Sequence, residues 1–454
     1  MMKEYKRELP LFSFYDVTGM ARHLERMAEK GWMLERISGW CWRYRRMEAK
    51  KLHFTVSYAL PVSAFEPSAT PEQQVFQAFC DRAGWKIAAS SGAMQIFYNE
   101  AEDPVPIETE PALEIGSIQK IARRQAPLQI LLMLLSLWMG ASWCWSLIHS
   151  PIDLLSSAAN LLGGFCWLAL FLWCAADLGV YFAWLRRARR LAEQGAFLPT
   201  RGCRGLIRVL IVLLLLHLVY VFLMERMPGM RLTLAAMLGG FLVLVLAVNG
   251  VKNFLKRRGT AAGVNRAVTL TLDVVLAFTL MGAVTCGLLW AARSGAFSLE
   301  AQLEPPLTVA MLGADGGADY RTETQLEASA LLSRSEYRQR ADWEETTTGA
   351  PWLSYTVVDV HVPFLYEWCV EEMYRAYDGE TAFDEAGREV RLYTYREADG
   401  APWGAERAWQ VYDFDGRAQG KYLLCWDGRI AALDADWVLT EEQMATAGRA
   451  LAPA

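Results

Sequence analysis

The sequence has few of the residue types that usually carry catalysis. Only 5 of its 454 residues are histidine, and its 9 cysteines form no Cys-x-x-Cys pair. The N-terminal region has no Walker A loop and no Gly-x-Gly-x-x-Gly motif, which are the common glycine-rich signatures of phosphate binding. We find no catalytic constellation. The prediction is a protein that is not an enzyme, with no catalytic residue, no bound metal and no cofactor.

Charge is scarce in the middle of the chain. Residues 1–125 hold 17 basic and 16 acidic side chains, residues 126–292 hold 14 and 5, and residues 293–454 hold 14 and 29. No Asp, Glu, Lys or Arg lies between Arg124 and Asp153. A near-neutral, an apolar and an acidic region in succession predict a membrane domain with a soluble domain at each end.

The apolar middle divides into five candidate transmembrane helices. Each reaches the roughly 20 residues that a helix needs to cross the hydrocarbon core. Lipid offers no partner to unpaired backbone groups, so runs of this length are expected to be helical. The predicted spans are about 127–148, 157–185, 205–224, 232–251 and 267–292. The predicted domains are 1–125, the membrane domain 126–292, a linker over 293–320 and a C-terminal domain over 321–454.

The distribution of basic residues predicts the side of the membrane on which each domain lies. Lys and Arg are concentrated before the first span, around "RRARR" (186–190) and around 252–266, whereas the opposite loops hold only Arg226 and Arg231. Loops rich in Lys and Arg stay in the cytoplasm. The predicted protein therefore crosses the cell membrane several times, with a cytoplasmic N-terminus and an extracellular C-terminal domain. No secretory signal is expected, because the first 60 residues contain no uninterrupted apolar stretch of the required kind.

The N-terminal region predicts an α+β domain. "LPLFSFY" (9–15) is a predicted strand, and Asp16 is the predicted N-cap of a helix that Gly31 ends. "WMLERISGWCWRYRRM" and "KLHFTVSYAL" are predicted as two strands. Thr70 and Gly84 bound a second helix, and "WKIAAS" and "MQIFYN" follow as strands. The order β-α-β-β-α-β, with one further strand, predicts a ferredoxin-like sandwich.

Two Gly-Trp pairs, at Gly31–Trp32 and Gly84–Trp85, follow the two predicted helices. With "MARHLERMAEKGWMLERISGWCWRYRR", "FCDRAGWKIAASSGAMQIFY" and the lead-in "PIETEPALEIGSIQKIARR", the sequence over roughly residues 8–125 resembles the bacterial domain-of-unknown-function family 2812. The resemblance implies a membrane protein of Gram-positive bacteria. No activity is established for that family, so the resemblance carries over no functional residue.

The C-terminal region also predicts an α+β domain. "PWLSYTVVDVHVP" (351–363) is a predicted strand and "FLYEWCVEEMYRAY" (364–377) a helix, followed by strands with a hairpin at Asp427–Gly428. Thr440 and Gln443 fit a capping box at the start of a terminal helix. The only cysteines of this domain permit one disulfide if their Cα atoms lie within bonding range, a point that sequence leaves open. They are Cys369 and Cys425.

Three ionisable residues lie inside the predicted spans: Asp177, His217 and Asp273. Their offsets from the nearest basic clusters place them about 10–14 Å from the cytoplasmic boundary at 1.5 Å per residue. Charge inside a membrane is costly and often functional, so one interpretation is a shared polar layer that carries ions or protons. The other is interhelical hydrogen bonding that only holds the bundle together.

A basic cluster in the N-terminal domain is interleaved with aromatic residues, a combination that can serve nucleic-acid binding. Trp40, Trp42 and Tyr44 alternate with the arginines, however, as is typical of a sheet with one buried and one solvated face. The solvated-face interpretation is favoured, with anionic lipid or an acidic partner as the alternative, and no nucleic acid is expected. The cluster comprises Arg43, Arg45, Arg46, Lys50 and Lys51.

Two function classes remain. The first is a non-enzymatic membrane signalling or regulatory protein, with an external sensing domain and a cytoplasmic relay domain. The second is a transporter or export-accessory protein, which rests on the polar layer alone. Five spans without an inverted repeat or a broken helix count against a typical secondary transporter, so signalling is preferred. The bilayer is the expected partner, a protein partner on either side is compatible, and the oligomeric state is left open.

Overall fold

The computed structural model describes residues 4–38, 41–58, 63–224, 228–293, 304–316, 319–341, 350–376, 381–383 and 389–453. The chain divides into two compact units. The first unit comprises residues 1–140, 166–215 and 238–282, and the second comprises residues 141–165, 216–237 and 283–454. Both contain sheets and long helices, which confirms the predicted class of α+β domains with membrane helices.

The N-terminal domain lies in the first unit and consists of two consecutive β-α-β-β modules. In each module the strands form an antiparallel sheet whose last strand lies in the middle, in the orders β1-β3-β2 and β4-β6-β5. The elements are β1 (Tyr5–Glu8), α1 (Val17–Glu29), β2 (Trp32–Ile37), β3 (Trp42–Arg46), β4 (His53–Tyr58), α2 (Pro71–Arg82), β5 (Lys86–Ser91) and β6 (Met94–Asn99).

Two strand predictions in this domain were wrong. Residues 9–15 form no strand, since Pro10 has no backbone N–H to donate, and the strand lies earlier, at β1. The segment predicted as one strand from Trp32 is the hairpin of β2 and β3. Its chain reverses where Ser38 donates its backbone N–H to the carbonyl of Cys41 at 3.0 Å. A ferredoxin-like sandwich needs one four-stranded sheet and is not confirmed, because the described strands pair as two sheets of three.

The helix boundaries of the N-terminal domain follow from local chemistry, as predicted. The Asp16 carboxylate accepts the backbone N–H of Gly19 at 3.0 Å at the start of α1. Thr70 and Gln73 form a reciprocal capping box at the start of α2. Gly31 and Gly84 follow the two helices at φ of 77° and 85°, in the left-handed region where a side chain would be strained.

Within the described residues, five helices are long and apolar enough to cross a membrane, so the chain is a multi-pass membrane protein. One short helix, α4, lies between the first two. The first long helix begins at Pro111, well before the predicted start of its span. The helices are α3 (Pro111–His149), α4 (Pro151–Ser156), α5 (Ala158–Ala192), α6 (Arg204–Met224), α7 (Pro228–Arg257) and α8 (Ala262–Arg293).

The core of the first unit joins the N-terminal domain to α3 and α5. Leu24 on α1 and Tyr44 on β3 are fully buried in the same cluster as Ile118 of α3 and Trp184 of α5. Burial of apolar surface stabilises this packing by roughly 25 cal/mol per Å². The N-terminal domain is therefore packed directly on these two helices.

The C-terminal domain lies in the second unit and is built on a seven-stranded antiparallel sheet of order β12-β13-β14-β15-β9-β8-β7. Successive strand residues point to opposite faces. Leu424 accordingly belongs to one hydrophobic cluster and Leu423 to another. The elements are β7 (Tyr320–Ala328), β8 (Leu332–Ala341), β9 (Leu353–Val360), α9 (Tyr366–Arg375), β10 (Thr381–Phe383), β11 (Glu389–Arg391), β12 (Tyr393–Ala398), β13 (Arg407–Asp413), β14 (Ala418–Trp426), β15 (Arg429–Ala435) and α10 (Glu441–Leu451).

Most predicted elements of the C-terminal domain are confirmed, including the hairpin at Asp427–Gly428 and the capping box at the start of α10. Part of the predicted linker, 294–303 and 317–318, lies outside the described residues. The rest is part of the domain, because Leu307 is fully buried and donates its backbone N–H to the Tyr355 hydroxyl at 3.1 Å. Val309 makes a similar bond to the Gln339 side chain at 2.9 Å.

Candidate functional site

Asp177 on α5 accepts a cluster of hydrogen bonds in the first unit and is only 3% exposed. The Ser13 hydroxyl donates to Asp177 Oδ1. The Tyr15 hydroxyl donates to the Asp177 main-chain oxygen at 3.2 Å and lies 3.3 Å from Oδ1. Gln129 Nε2 on α3 donates to Oδ2 at 3.1 Å. We call this cluster of four residues the Asp177 junction; it ties the segment before α1 to two long helices.

The segment between α5 and α6 reinforces the same attachment. Thr18 donates its backbone N–H to the hydroxyl of Thr200 at 2.9 Å, and Thr200 returns the bond from its own N–H to Thr18 at 3.0 Å. The guanidinium of Arg204 lies 4.2 Å from the ring centroid of Phe12, within the range of a cation–π contact. The start of α1 is therefore held by polar contacts on two sides.

A cavity of about 770 Å³ lies beside the Asp177 junction. Its size falls in the range of small-molecule sites, which are mostly apolar with a few placed polar groups. Here Ser13, Gln129 and Asp177 itself supply polar groups, and Arg124 adds a positive charge. The apolar walls include Phe12, Phe14, Trp42, Leu128, Leu132 and Trp173.

The other two ionisable residues predicted inside the membrane have different surroundings. The His217 ring on α6 stacks on Phe165 at 5.8 Å and contacts Tyr220 edge-on at 5.7 Å. Its Nε2 is buried and has no hydrogen-bond partner among the described residues. Asp273 on α8 is half-buried. The structure brings Asp177 together with Ser13, Tyr15 and Gln129, and a layer shared by Asp177, His217 and Asp273 stays a prediction.

The basic cluster has the predicted alternation. Trp42 and Tyr44 are buried, whereas Arg45 and Arg46 are exposed; Trp40 lies outside the described residues. Arg43 pairs with Glu35 at 2.8 Å. The Arg46 guanidinium lies 5.1 Å from the Trp32 ring centroid. Lys50 pairs with Glu100, and Lys51 is exposed.

Strand register adds two arginines that sequence reasoning missed. Arg7 on β1 and Arg36 on β2 both lie opposite Arg43 on the central strand β3. Like charges directly opposite each other in a sheet are destabilising, so this row favours a counter-charge such as Glu35. The prediction of a strand at 9–15 hid Arg7, because it placed that residue outside the sheet.

In the second unit, the short helix α4 is held by the C-terminal domain, a contact that we call the α4 clasp. The backbone N–H of Ile152 donates to Glu372 Oε2 on α9 at 2.6 Å. Asp153 pairs with Arg334 on β8, and the Ser156 hydroxyl donates to Glu327 Oε2 on β7 at 2.9 Å. The sequence analysis assigns no role to α4, which lies between the predicted spans 127–148 and 157–185.

Apolar packing accompanies these polar contacts. Ile152 and Leu155 are each 5% exposed and belong to the same hydrophobic cluster as Val358, Cys369 and Ile430 of the C-terminal domain. Fully burying a side chain of this kind contributes roughly 1.5–3 kcal/mol. The clasp therefore combines an apolar anchor with charged and capping contacts.

Glu372 is the titratable group of the α4 clasp. Burial raises the pKa of this carboxyl to about 7, and the nearby Asp153 carboxylate acts in the same direction. The Ile152 N–H and the Arg334 guanidinium lower the pKa and offset part of this effect. α4 has no side-chain hydrogen bond from its own N-cap, Ser150, so Glu372 supplies the acceptor at that helix end.

Cys369 and Cys425 are both buried in this unit, and both are free thiols in the structure. Burial raises the pKa of Cys369 to about 12 and that of Cys425 to about 11. A thiol is reactive as the thiolate, so these cysteines are chemically inert packing groups in this state. The disulfide that the sequence permits is not formed here.

Comparison with known proteins identifies part of the chain. Residues 17–132 match a family model described as a protein of unknown function (DUF2812). The predicted resemblance is confirmed. The DUF2812 segment extends from α1 into α3, so it contains Gln129 of the Asp177 junction, whereas Ser13, Tyr15 and Asp177 lie outside it. No curated protein and no solved structure matches the chain.

Proposed function

We propose that this protein is a non-enzymatic membrane signalling protein, whose C-terminal domain senses a condition outside the cell and whose DUF2812 segment relays it inside. The observation that carries the proposal is the Asp177 junction. Asp177 on α5 accepts a hydrogen bond from Ser13 at its buried carboxylate and one from Tyr15 at its main-chain oxygen, and both donors lie immediately before α1. A change in α5 would therefore act directly on the start of the DUF2812 segment.

The α4 clasp supports a route to α5. In the second unit, Glu372 and Arg334 of the C-terminal domain contact α4, and only Ser157 separates α4 from α5 in the chain. α5 continues without interruption from Ala158 to Ala192 and carries Asp177. Rigid secondary elements are among the structures that carry coupling between sites, and the proposal assigns that role to the continuous helix α5.

The charge distribution supports the orientation of this relay. Basic residues cluster at the C-terminal end of α5, where Arg186, Arg187, Arg189 and Arg190 lie, and such clusters stay in the cytoplasm. The end of α5 that follows α4 then lies outside. This topology would place the C-terminal domain outside and the DUF2812 segment inside, as the proposal requires.

Among the described residues, the contacts of His217 and Asp177 lend no support to transport. The described neighbours of His217 are aromatic rings, and the donors to Asp177 are neutral hydroxyl and amide groups. A proton or ion pathway needs ionisable groups that exchange charge with one another. Signalling is accordingly the function that we propose.

Hydrogen–deuterium exchange of the full chain in lipid nanodiscs tests the relay. Glu372→Ala and Arg334→Ala each remove one contact to α4 and should increase exchange there. If the relay operates, exchange should also change in residues 13–20, around Ser13 and Thr18. Arg375→Ala is the matched control, because Arg375 pairs with Glu371 on the same helix, α9.

The outcome also distinguishes a relay to residues 13–20 from a destabilisation of α4 alone. Faster exchange of α4 with unchanged exchange at residues 13–20 would contradict the proposal. Asp177→Leu serves as a reference for a weakened junction, because it removes the carboxylate that accepts from Ser13 and Gln129.

A further inference from the structure

The outer face of α2 is apolar although it is exposed. Val75 is 72% exposed and Phe79 is 65% exposed, one helical turn apart, and Ala78 lies beside them. The opposite side of the helix is the one that packs on its own domain, through Gln73 and Cys80. Single exposed apolar residues are common, but adjacent ones on one helix face mark an interaction surface.

The first module shows that the fold does not require this apolar face. When the modules are aligned at Gly31 and Gly84, Val75 and Phe79 correspond to Arg22 and Arg26 on α1. Those arginines are exposed, as expected of a solvated helix face. The same position in the same supersecondary unit is therefore charged in one module and apolar in the other.

Charges at the two ends of α2 indicate which partner would bind its apolar face. Glu72 and Arg82 are both exposed and lie five residues on either side of Gln77. An antiparallel copy of the helix centred on Gln77 would bring Glu72 opposite Arg82 at both ends. It would also bring Val75 opposite Phe79, with Ala78 small enough to allow close approach.

We propose that α2 docks on α2 of a second copy of this chain, in an antiparallel arrangement with two-fold symmetry. In such an isologous interface the same patch serves both partners, so it must be complementary to itself. The stripe of Glu72, Val75, Ala78, Phe79 and Arg82 meets that condition. An anionic lipid surface would instead repel Glu72 and the nearby Asp81.

Cysteine cross-linking in membranes tests the pairing. Ala78→Cys in the full chain places a thiol near the two-fold axis, and mild oxidation should yield a disulfide-linked dimer above the level of the parent chain. Arg22→Cys is the matched control, because Arg22 occupies an exposed position on the equivalent helix of the first module. It should give no dimer above the parent level.

Charge reversal in the Ala78→Cys background supplies the decisive comparison. Glu72→Arg or Arg82→Glu alone places like charges opposite each other at both ends, and should lower the cross-linked fraction by about tenfold. The double variant restores opposite charges and should recover the dimer. Each change also opposes the helix dipole of α2, so damage to the helix alone would be greater in the double variant.

Four results would overturn the proposal. The first two are equal cross-linking by the single and double variants and equal cross-linking at Ala78 and Arg22. The other two are a product whose mass shows a different protein and a chain that stays monomeric in every variant. The thermal stability of each variant shows that it is folded before its cross-linking is compared.

Discussion

At the scale of single residues, the buried side chain of Asp177 contributes to stability through the hydrogen bonds that it accepts. Replacing it with Leu removes the side-chain acceptor of Ser13 and Gln129, whereas Tyr15 keeps the main-chain oxygen, and an unpaired buried donor costs about 1–3 kcal/mol. We expect Asp177→Leu to lower the free energy of unfolding by about 2 kcal/mol or more. Asp177→Asn keeps an acceptor oxygen and should cost less than half as much.

Thermal unfolding of the full chain in detergent measures both effects. Asp273→Leu is a suitable control, since it removes a half-buried carboxylate from another long helix, α8, and should leave stability within about 0.5 kcal/mol. Equal losses for Asp177→Leu and Asp177→Asn would show that the charge, and not the hydrogen bonds, stabilises the junction.

Glu372 makes the α4 clasp dependent on pH. Its pKa in the folded chain is about 7, above the ordinary value of 4.5, so the folded state binds the proton more tightly than the unfolded state. The contribution to stability is complete below about pH 4.5 and is lost as pH rises toward 7. The protection of the Ile152 amide, which is its exchange rate relative to the intrinsic rate at the same pH, should therefore fall over this interval.

Two variants isolate this residue. Glu372→Gln should abolish this pH dependence of the Ile152 protection, because its side chain does not titrate. Glu371→Gln, on the exposed side of the same helix, should preserve it. A pH dependence that persists in Glu372→Gln would assign the titration to another group.

At the scale of elements, helix caps determine where α1, α2 and α10 begin. Removing the Thr70 hydroxyl by Thr70→Ala should cost about 1 kcal/mol, because the Gln73 N–H loses its acceptor. The loss is expected in the amide exchange of α2 in the full chain. Thr446→Ala makes the same chemical change in the interior of α10, without a cap, and should have a smaller effect on its own helix.

Local signals explain which elements could be predicted. Asp16, Thr70 and Thr440 cap helices through neighbours three residues away, so their roles are visible in a short window of sequence. The hairpin of β2 and β3 was missed although Ser38–Gly39 is a turn signal, because residues 32–47 were interpreted as one continuous strand. The strand β1 was missed because its four residues are charged or polar except for Tyr5.

At the scale of the whole molecule, topology is the testable consequence of the sequence. Exposed positions for single cysteines are Glu102, Gln194 and Asp399. A membrane-impermeant thiol reagent on intact cells should label the Asp399→Cys chain above the parent level, and label Glu102→Cys and Gln194→Cys only after lysis. Labelling at Glu102 in intact cells would reverse the proposed orientation and the direction of the relay.

Long-range contacts explain what could not be predicted. The bond from Ile152 to Glu372 joins residues 220 apart, and the bond from Ser13 to Asp177 joins residues 164 apart. Periodicity and spacing describe neighbours in the sequence, so they give no signal of a pairing between residues this far apart. Asp177 was accordingly singled out from its place in an apolar helix, while its partners became visible only in the fold.

The separation within the α4 clasp also has a consequence during biosynthesis. Arg334 lies 181 residues after Asp153, so at about 5–20 residues per second α4 is made roughly 10 to 40 s before its partner strand. During that interval the C-terminal domain that buries the side chains of Ile152 and Leu155 has not yet been made. A ribosome that stalls before β8 would leave both apolar side chains without the C-terminal domain that buries them in the complete chain.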